Sequence, residues 1–385
     1  MPASPSAARA INDREALRLL RSGPLTAADL TRLTGLSRPT VADLVRRLGD
    51  AGLVTVVGEA DVRRRGPNAQ LYGIVRTRAH VAALDVRTHS VSVVVADLLG
   101  EVLAEASTPI GPATTTEHAV ARTLTLLTDT ALEAGAPTLH SVGIGVPGLV
   151  DPRTGDLRGI AGLPRWHGEV LAELRARLAG RLLVENETSV AAVAEHRLGA
   201  TRDLDTFALL WLGHGTGAAL VVNGGLHRGA SGGAGELGFL PVPGRPWPAG
   251  GGFHGLACSA AIAELATEHG LVSSSLVPSS DLPGAAAVRD AVTTGADGFL
   301  DALADRVAVG AASIAAVLDP GCVVLGGEIG RAGGEDLAGR VADRLSAASP
   351  ITTTVRPSAL GGEAVLRGAL LTACESAQDD VFATV

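Results

Sequence analysis

At 385 residues the chain is too long for one ordinary core, and because 46% of it is hydrophobic it can bury two or three. Only 2% of residues are aromatic and 49 are glycine, so packing must come mainly from Ala, Val and Leu. Formal net charge is −8, which excludes a uniformly basic nucleic-acid binder, but residues 1–80 hold thirteen Arg against seven Asp or Glu and carry +6, which leaves −14 for the rest.

All 32 basic residues are Arg, a genome-level bias that weakens Arg counts alone as a sign of phosphate binding. Cys258, Cys322 and Cys374 are far apart, with no pair at metal or redox spacing. No apolar run approaches ~18 residues and no charged-then-apolar leader opens the chain, so a cytoplasmic protein is expected.

In chain order, residues 1–10 are small and polar and are expected to be disordered, with a first helix from about Asp13 to Arg21. Thr26-Ala27-Ala28-Asp29 has the form of a capping box and opens a short helix through Leu30 and Leu33 that stops at Thr34-Gly35. Ser37 can cap the next helix, and Pro39 suits its first turn. Val41, Leu44, Val45 and Leu48 then recur at the spacing that puts apolar side chains on one face. Arg38, Thr40, Arg46 and Arg47 are left outside. Helix, Gly turn, helix is a helix-turn-helix, and its second helix reads as the DNA recognition helix. Strand-like Leu53–Val57 and Leu71–Val75 flank Arg63-Arg64-Arg65-Gly66-Pro67, a basic wing suited to a narrow minor groove. The expected DNA contacts are Thr26, Ser37, Arg38, Pro39, Thr40, Arg46, Arg47, Arg63, Arg64, Arg65 and Gly66. This winged helix-turn-helix is placed at residues 11–76 and a second unit at residues 77–385.

From Val81 the pattern becomes alternating strands and helices. Strands are predicted at Val81–Val86, Ser90–Asp97 and Glu101–Ala106, then a helix at Thr116–Ala134 and a buried strand at Ser141–Val146. A helix and a strand ending at Val184-Glu185-Asn186 follow. The scheme repeats with a hairpin at Ala208–Leu212 and Gly217–Val222, helices over 259–318 and a buried strand in Gly321–Gly327. Two similar α/β halves, with their boundary near 190–205 and glycine-rich turns facing a cleft, are the layout of the actin-like ATPase fold. Ser273–Pro283 reads as an inserted polar loop. His167, His214 and His227 read as surface residues.

Several motifs together carry a resemblance. Gly143-Ile144-Gly145-Val146-Pro147-Gly148-Leu149-Val150-Asp151, Glu185-Asn186, Gly213-His214-Gly215-Thr216-Gly217, Asn223-Gly224-Gly225, Ala234-Gly235-Glu236-Leu237-Gly238 and Gly326-Gly327 occur in an order similar to that of the ROK family. That family contains sugar kinases and transcriptional repressors, and an N-terminal winged helix resembles its repressor branch. The resemblance implies a cleft ligand near Asn186, Glu187, Glu236, Gly215 and Thr216.

Departures from the family pattern are equally informative. Its kinases place two glycines after the Asp of the first hairpin, whereas Asp85 is followed by Val86, Arg87 and Thr88, whose side chains bar close backbone approach to a phosphate. The catalytic Asp of those kinases corresponds to Glu187, and a displacement of roughly 1 Å can cost on the order of a hundredfold in rate. Gly162, Phe239 and Gly255 stand where the resemblance implies sugar-contacting Asn, His and Glu. The family's zinc site would use three cysteines and that His. Gly244–His254 contains no cysteine, so neither bound zinc nor ATP is expected. The reading is a DNA-binding repressor, a homodimer or dimer of dimers on a double-stranded operator, whose degenerate cleft domain senses a sugar-like effector or serves dimerisation, with no enzymatic activity. The alternatives are a sugar kinase with an added DNA-binding unit and a regulator that needs no ligand.

Overall fold

A computed structural model of the chain describes residues 5–60, 69–158, 163–244, 251–271 and 282–383. The wing residues Arg63, Arg64, Arg65 and Gly66, together with Gly162, lie outside the described residues, as does most of the Ser273–Pro283 insertion.

The N-terminal unit runs α1 (Pro5–Leu20), β1 (Leu25–Thr26), α2 (Ala27–Thr34), α3 (Arg38–Asp50), β2 (Val54–Glu59) and β3 (Gln70–Ile74). Its strands form an antiparallel sheet in the order β1-β3-β2. The disorder expected over residues 1–10 is corrected from residue 5 on, because α1 starts at Pro5; residues 1–4 lie outside the described residues. Proline is tolerated in a first turn, and the alanines that follow are strong helix formers. Leu17, Leu20, Leu30, Val41, Leu44, Leu48 and Leu53 fill the interior.

The first lobe comprises β4 (His80–Val86), β5 (Ser90–Asp97), β6 (Val102–Pro109), α4 (Thr116–Glu133), β7 (Ser141–Val146), the small hairpin β8 (Leu149–Val150) and β9 (Leu157–Arg158), α5 (Trp166–Arg177), β10 (Arg181–Asn186) and α6 (Glu187–Leu198). The second comprises β11 (Phe207–Leu212), β12 (Thr216–Val222), β13 (Gly225–His227), α7 (His254–Ala257), α8 (Ser259–Glu268), α9 (Pro283–Thr294), α10 (Asp297–Leu318), β14 (Cys322–Gly326), α11 (Gly327–Ala348) and β15 (Thr354–Pro357). Sheet orders β6-β5-β4-β7-β10 and β13-β12-β11-β14-β15 match position for position: three antiparallel strands, then two added in parallel. That is the internal duplication the sequence predicts.

The last helix, α12 (Ala364–Phe382), does not stay with the second lobe. It returns to the first and lies against α6, β4 and β7, so a single boundary near 190–205 does not divide the two lobes. Glycines explain how closely it can approach. A Cβ at Gly368 would sit 1.8 Å from the Val190 carbonyl oxygen, and one at Gly143 would sit 2.1 Å from that of Ala369. Farther along, Ala373, Cys374, Ala377, Val381 and Phe382 of α12 join Val81, Ala96 and Leu98 in the same apolar cluster as the helix-turn-helix core. The residue-76 boundary is therefore a change of topology but not a break in packing. Arg76 reinforces the junction, bonding Asp97 at 3.2 Å while its carbonyl accepts from the Leu98 amide.

Candidate functional site

Candidate functional side chains gather in two regions. In the first, Thr26 caps α2: its hydroxyl accepts from the Asp29 amide at 3.1 Å and donates to the Asp29 carboxylate at 2.7 Å. The helix stops at Gly35, whose φ of 72° suits glycine. Ser37 caps α3, its Oγ accepting from the Thr40 amide at 3.4 Å and meeting the Thr40 hydroxyl at 2.8 Å. Arg38, Pro39, Thr40 and Arg46 are exposed, while Val41, Leu44 and Leu48 are buried. Arg46 spans Asp43 and Asp50 in surface pairs, which are weak enough to exchange for another anion.

Two expected DNA contacts are placed differently. Thr26 is buried, with its hydroxyl committed to the capping box. Arg47 is turned inward: it bonds the buried carboxylate of Asp13 on α1 at 2.6 Å and also pairs with Asp43. The apolar spacing predicts an outer position for Arg47, but a long side chain can fold back over its own helix to a partner on the neighbouring one.

The second region is the cleft between the lobes, a cavity of about 1170 Å³ whose lining includes Asn186, Glu187, Gly215, Thr216 and Glu236. The structure thus brings together all five sequence-predicted ligand residues. Asn186 caps α6: its Oδ1 accepts from the Thr188 and Ser189 amides, and its Nδ2 donates to the Gly148 carbonyl at 2.9 Å. It fixes the meeting of β10, α6 and the turn after β7. Glu187 follows on the first turn of α6, where burial, reinforced by the nearby Asp85 and Glu328 charges, pushes its carboxyl up to about 8. Burial also raises Glu236. The Thr216 hydroxyl is buried without a partner among the described residues.

Arg87 is the central cation of this cleft. Its Nε donates to Asp85 at 2.8 Å, its Nη1 to Glu328 at 2.7 Å and its Nη2 to the Gly362 carbonyl at 2.7 Å. One guanidinium therefore connects the first hairpin, the start of α11 in the other lobe and the turn that leads into α12. Glu328 escapes the sequence reading, although it immediately follows the Gly326-Gly327 pair. Glu195 escapes it too: fully buried on α6, it accepts from the Ala200 and Leu360 amides and the Ser358 hydroxyl, and so anchors the approach to α12.

Phe239 is largely exposed, and His254 is tied to Cys258, as its raised pKa reflects. Among the described residues, no cluster of three or more His, Cys, Asp or Glu could hold a metal ion. His214 is exposed on the cleft wall and His227 is exposed on β13. His167 is instead buried, stacked 4.0 Å from Trp166 with its ring nitrogen 3.0 Å from the Pro164 carbonyl. Three unpaired cysteines are all buried.

A winged helix-turn-helix joined to a duplicated, two-lobed actin-like body defines the class. Residues 81–375 match the ROK family and residues 15–65 the MarR family, and the chain belongs to the ROK family. Among curated relatives, the DNA-binding transcriptional dual regulator NagC of Escherichia coli is 27% identical over 237 residues, 60% of this chain and 57% of that protein. The glucokinase of Thermotoga maritima is 32% identical over 206 residues, 50% of this chain and 65% of that enzyme. The chain thus spans a little over half the length of the regulators it matches. A crystal structure of a ROK transcriptional regulator homologous to the E. coli MLC protein aligns with a TM-score of 0.76 at 22% identity over 98% of both chains. A ROK glucokinase from Streptomyces griseus, solved with glucose and AMPPNP, aligns at 0.62 and 24% over 77% of this chain and 99% of that one. No described helix is long and apolar enough to cross a membrane.

Proposed function

We propose that the chain is a DNA-binding transcriptional repressor whose interlobe cleft senses a small polyol and carries out no phosphoryl transfer. The observation that carries this reading is α3, capped by Ser37, with Arg38 and Thr40 exposed on its first turn and its apolar face sealed into the same core as α12. Side chains at the start of a second helix are those that reach base edges in a major groove. Arg46 and the wing residues Arg63, Arg64 and Arg65 then supply phosphate and minor-groove contacts, while Arg47 and Thr26 hold the unit together. Relatives named as an N-acetylglucosamine repressor and a xylose repressor support the assignment.

Against catalysis, Arg87 fills the approach a phosphate would need, and burial pushes the carboxyl of Glu187, the position of the family's base, up to about 8, which disfavours its ionised form at neutral pH. The cleft takes neither ATP nor zinc in this reading. The kinase alternative draws support from the glucokinase relative, and a coupled ATPase assay with a hexose panel separates the two. Two copies reading two half-sites give a dimer on a palindromic operator.

The deciding experiment is fluorescence anisotropy with DNA from upstream of the chain's own gene against a scrambled duplex at two salt concentrations. Selective binding with a steep salt slope is the expected result. Equal, weak binding to both duplexes overturns the reading.

A further inference from the structure

The charges immediately around Glu187 are lopsided. Facing Glu187 are Asp85 from β4, Glu328 from α11, Glu236 and the single cation Arg87. That cation is already shared between the Asp85 and Glu328 carboxylates and a backbone carbonyl. Of the other basic groups on the wall, Arg331 donates to the Leu360 carbonyl and Arg289 has an interaction of its own. His214 is lowered by partial desolvation at the cleft wall and by the neighbouring His89 and His254, and His254 is bonded to Cys258. Glu187 and Glu236, half-buried on the cleft wall, make no side-chain hydrogen bond among the described residues, and two buried atoms beside them, Asp85 Oδ1 and the Thr216 hydroxyl, are left without a partner there. Buried polar atoms left open are costly, so this constellation is built to be completed from outside.

What completes it follows from its sign. A phosphate would enter a field of carboxyls whose only interior guanidinium is already neutralised. A neutral hydroxyl would hydrogen-bond to the protonated acids without any gain in charge complementarity. An ammonium would do both: it donates up to three hydrogen bonds and makes ionised Glu187 the favoured state. We propose that the cleft's occupant is an unphosphorylated polyol bearing an ammonium group, seated with that group against Glu187 and Glu236. This rests on the sensor reading above and narrows its ligand to one chemical class. Binding at neutral pH drives a proton off Glu187.

The test is titration calorimetry of the full chain without DNA at neutral pH, in two buffers of different ionisation enthalpy. Glucosamine, galactosamine and mannosamine are each compared with the parent hexose and its 6-phosphate. At least one hexosamine is expected to bind about tenfold tighter than both counterparts, releasing about one proton per ligand. In Glu187→Gln the release disappears and the preference falls below about threefold, whereas Glu187→Asp keeps both in weakened form, which separates a charge effect from misfolding. A parent hexose or a 6-phosphate that binds as tightly as its hexosamine overturns the proposal, and so does failure of all three hexosamines to bind. Operator binding is measured separately by anisotropy, so either result can fail while the other stands.

Discussion

At Arg87 a substitution that disfavours one chemistry creates a structural bond of another kind. Removing the guanidinium strands the buried Asp85 carboxylate and frees Glu328 across the cleft. Arg87→Ala is therefore expected to lower unfolding stability by about 3 kcal/mol, and the double variant with Asp85→Asn to recover much of it. Chemical denaturation of both variants checks this. Glu187 makes the opposite contribution. Its folded-state pKa, about 8, lies above the ordinary carboxylate value of 4.5, so stability is greatest below that ordinary value and declines as pH rises through the folded one. Glu187→Gln is expected to flatten the decline, with a stabilising effect on the order of 2 kcal/mol at the alkaline end and little at the acid end. Urea unfolding across the range decides it. An unchanged pH profile in the variant would show that burial does not hold this carboxyl neutral.

Among the elements, α3 shows what sequence can disclose. Caps and apolar periodicity are local, so Ser37, Pro39, Val41, Leu44 and Leu48 specify the helix and its buried face without reference to the rest of the fold. The fate of Arg47 depends on where α1 places Asp13, 34 residues away, and no local pattern encodes that distance. Two predictions separate these roles. Arg38→Ala is expected to weaken operator binding about tenfold with little loss of stability. Arg47→Ala is expected to lower the melting temperature, because Asp13 is left buried and unpaired, with Asp13→Asn restoring part of the loss. Anisotropy and thermal melts on the same samples test both. The cleft follows the same logic. Asn186, Gly215, Thr216 and Glu236 are legible through motif order, whereas the bridge from Arg87 to Glu328 spans 241 residues and appears only once the lobes face each other.

For the whole molecule, α12 matters most. It begins next to the Gly362 carbonyl that Arg87 grips, runs along α6, whose first residue is Glu187, and ends in the apolar cluster that also holds the helix-turn-helix core. A change in the cleft thus has one continuous, packed element through which to reach the DNA-binding face. Gly368 is its tightest contact. Gly368→Ala is expected to destabilise the chain by about 1–3 kcal/mol and to weaken operator binding, although no DNA contact is altered. Denaturation and anisotropy together read both effects. The sequence does not advertise this path: the apolar pattern of α12 resembles that of any buried helix, and its destination depends on small residues at Gly143 and Gly368.

The shared core also sets an order of events during synthesis. Residues of α1 to α3 are translated well before Ala377, Val381 and Phe382, about 300 residues later, which complete the apolar cluster they share. Until then the helix-turn-helix has an open side and no finished seat. A chain cut before α12 is therefore expected to hold its helix-turn-helix less firmly and to bind the operator more weakly than the full chain, which anisotropy on the two forms checks.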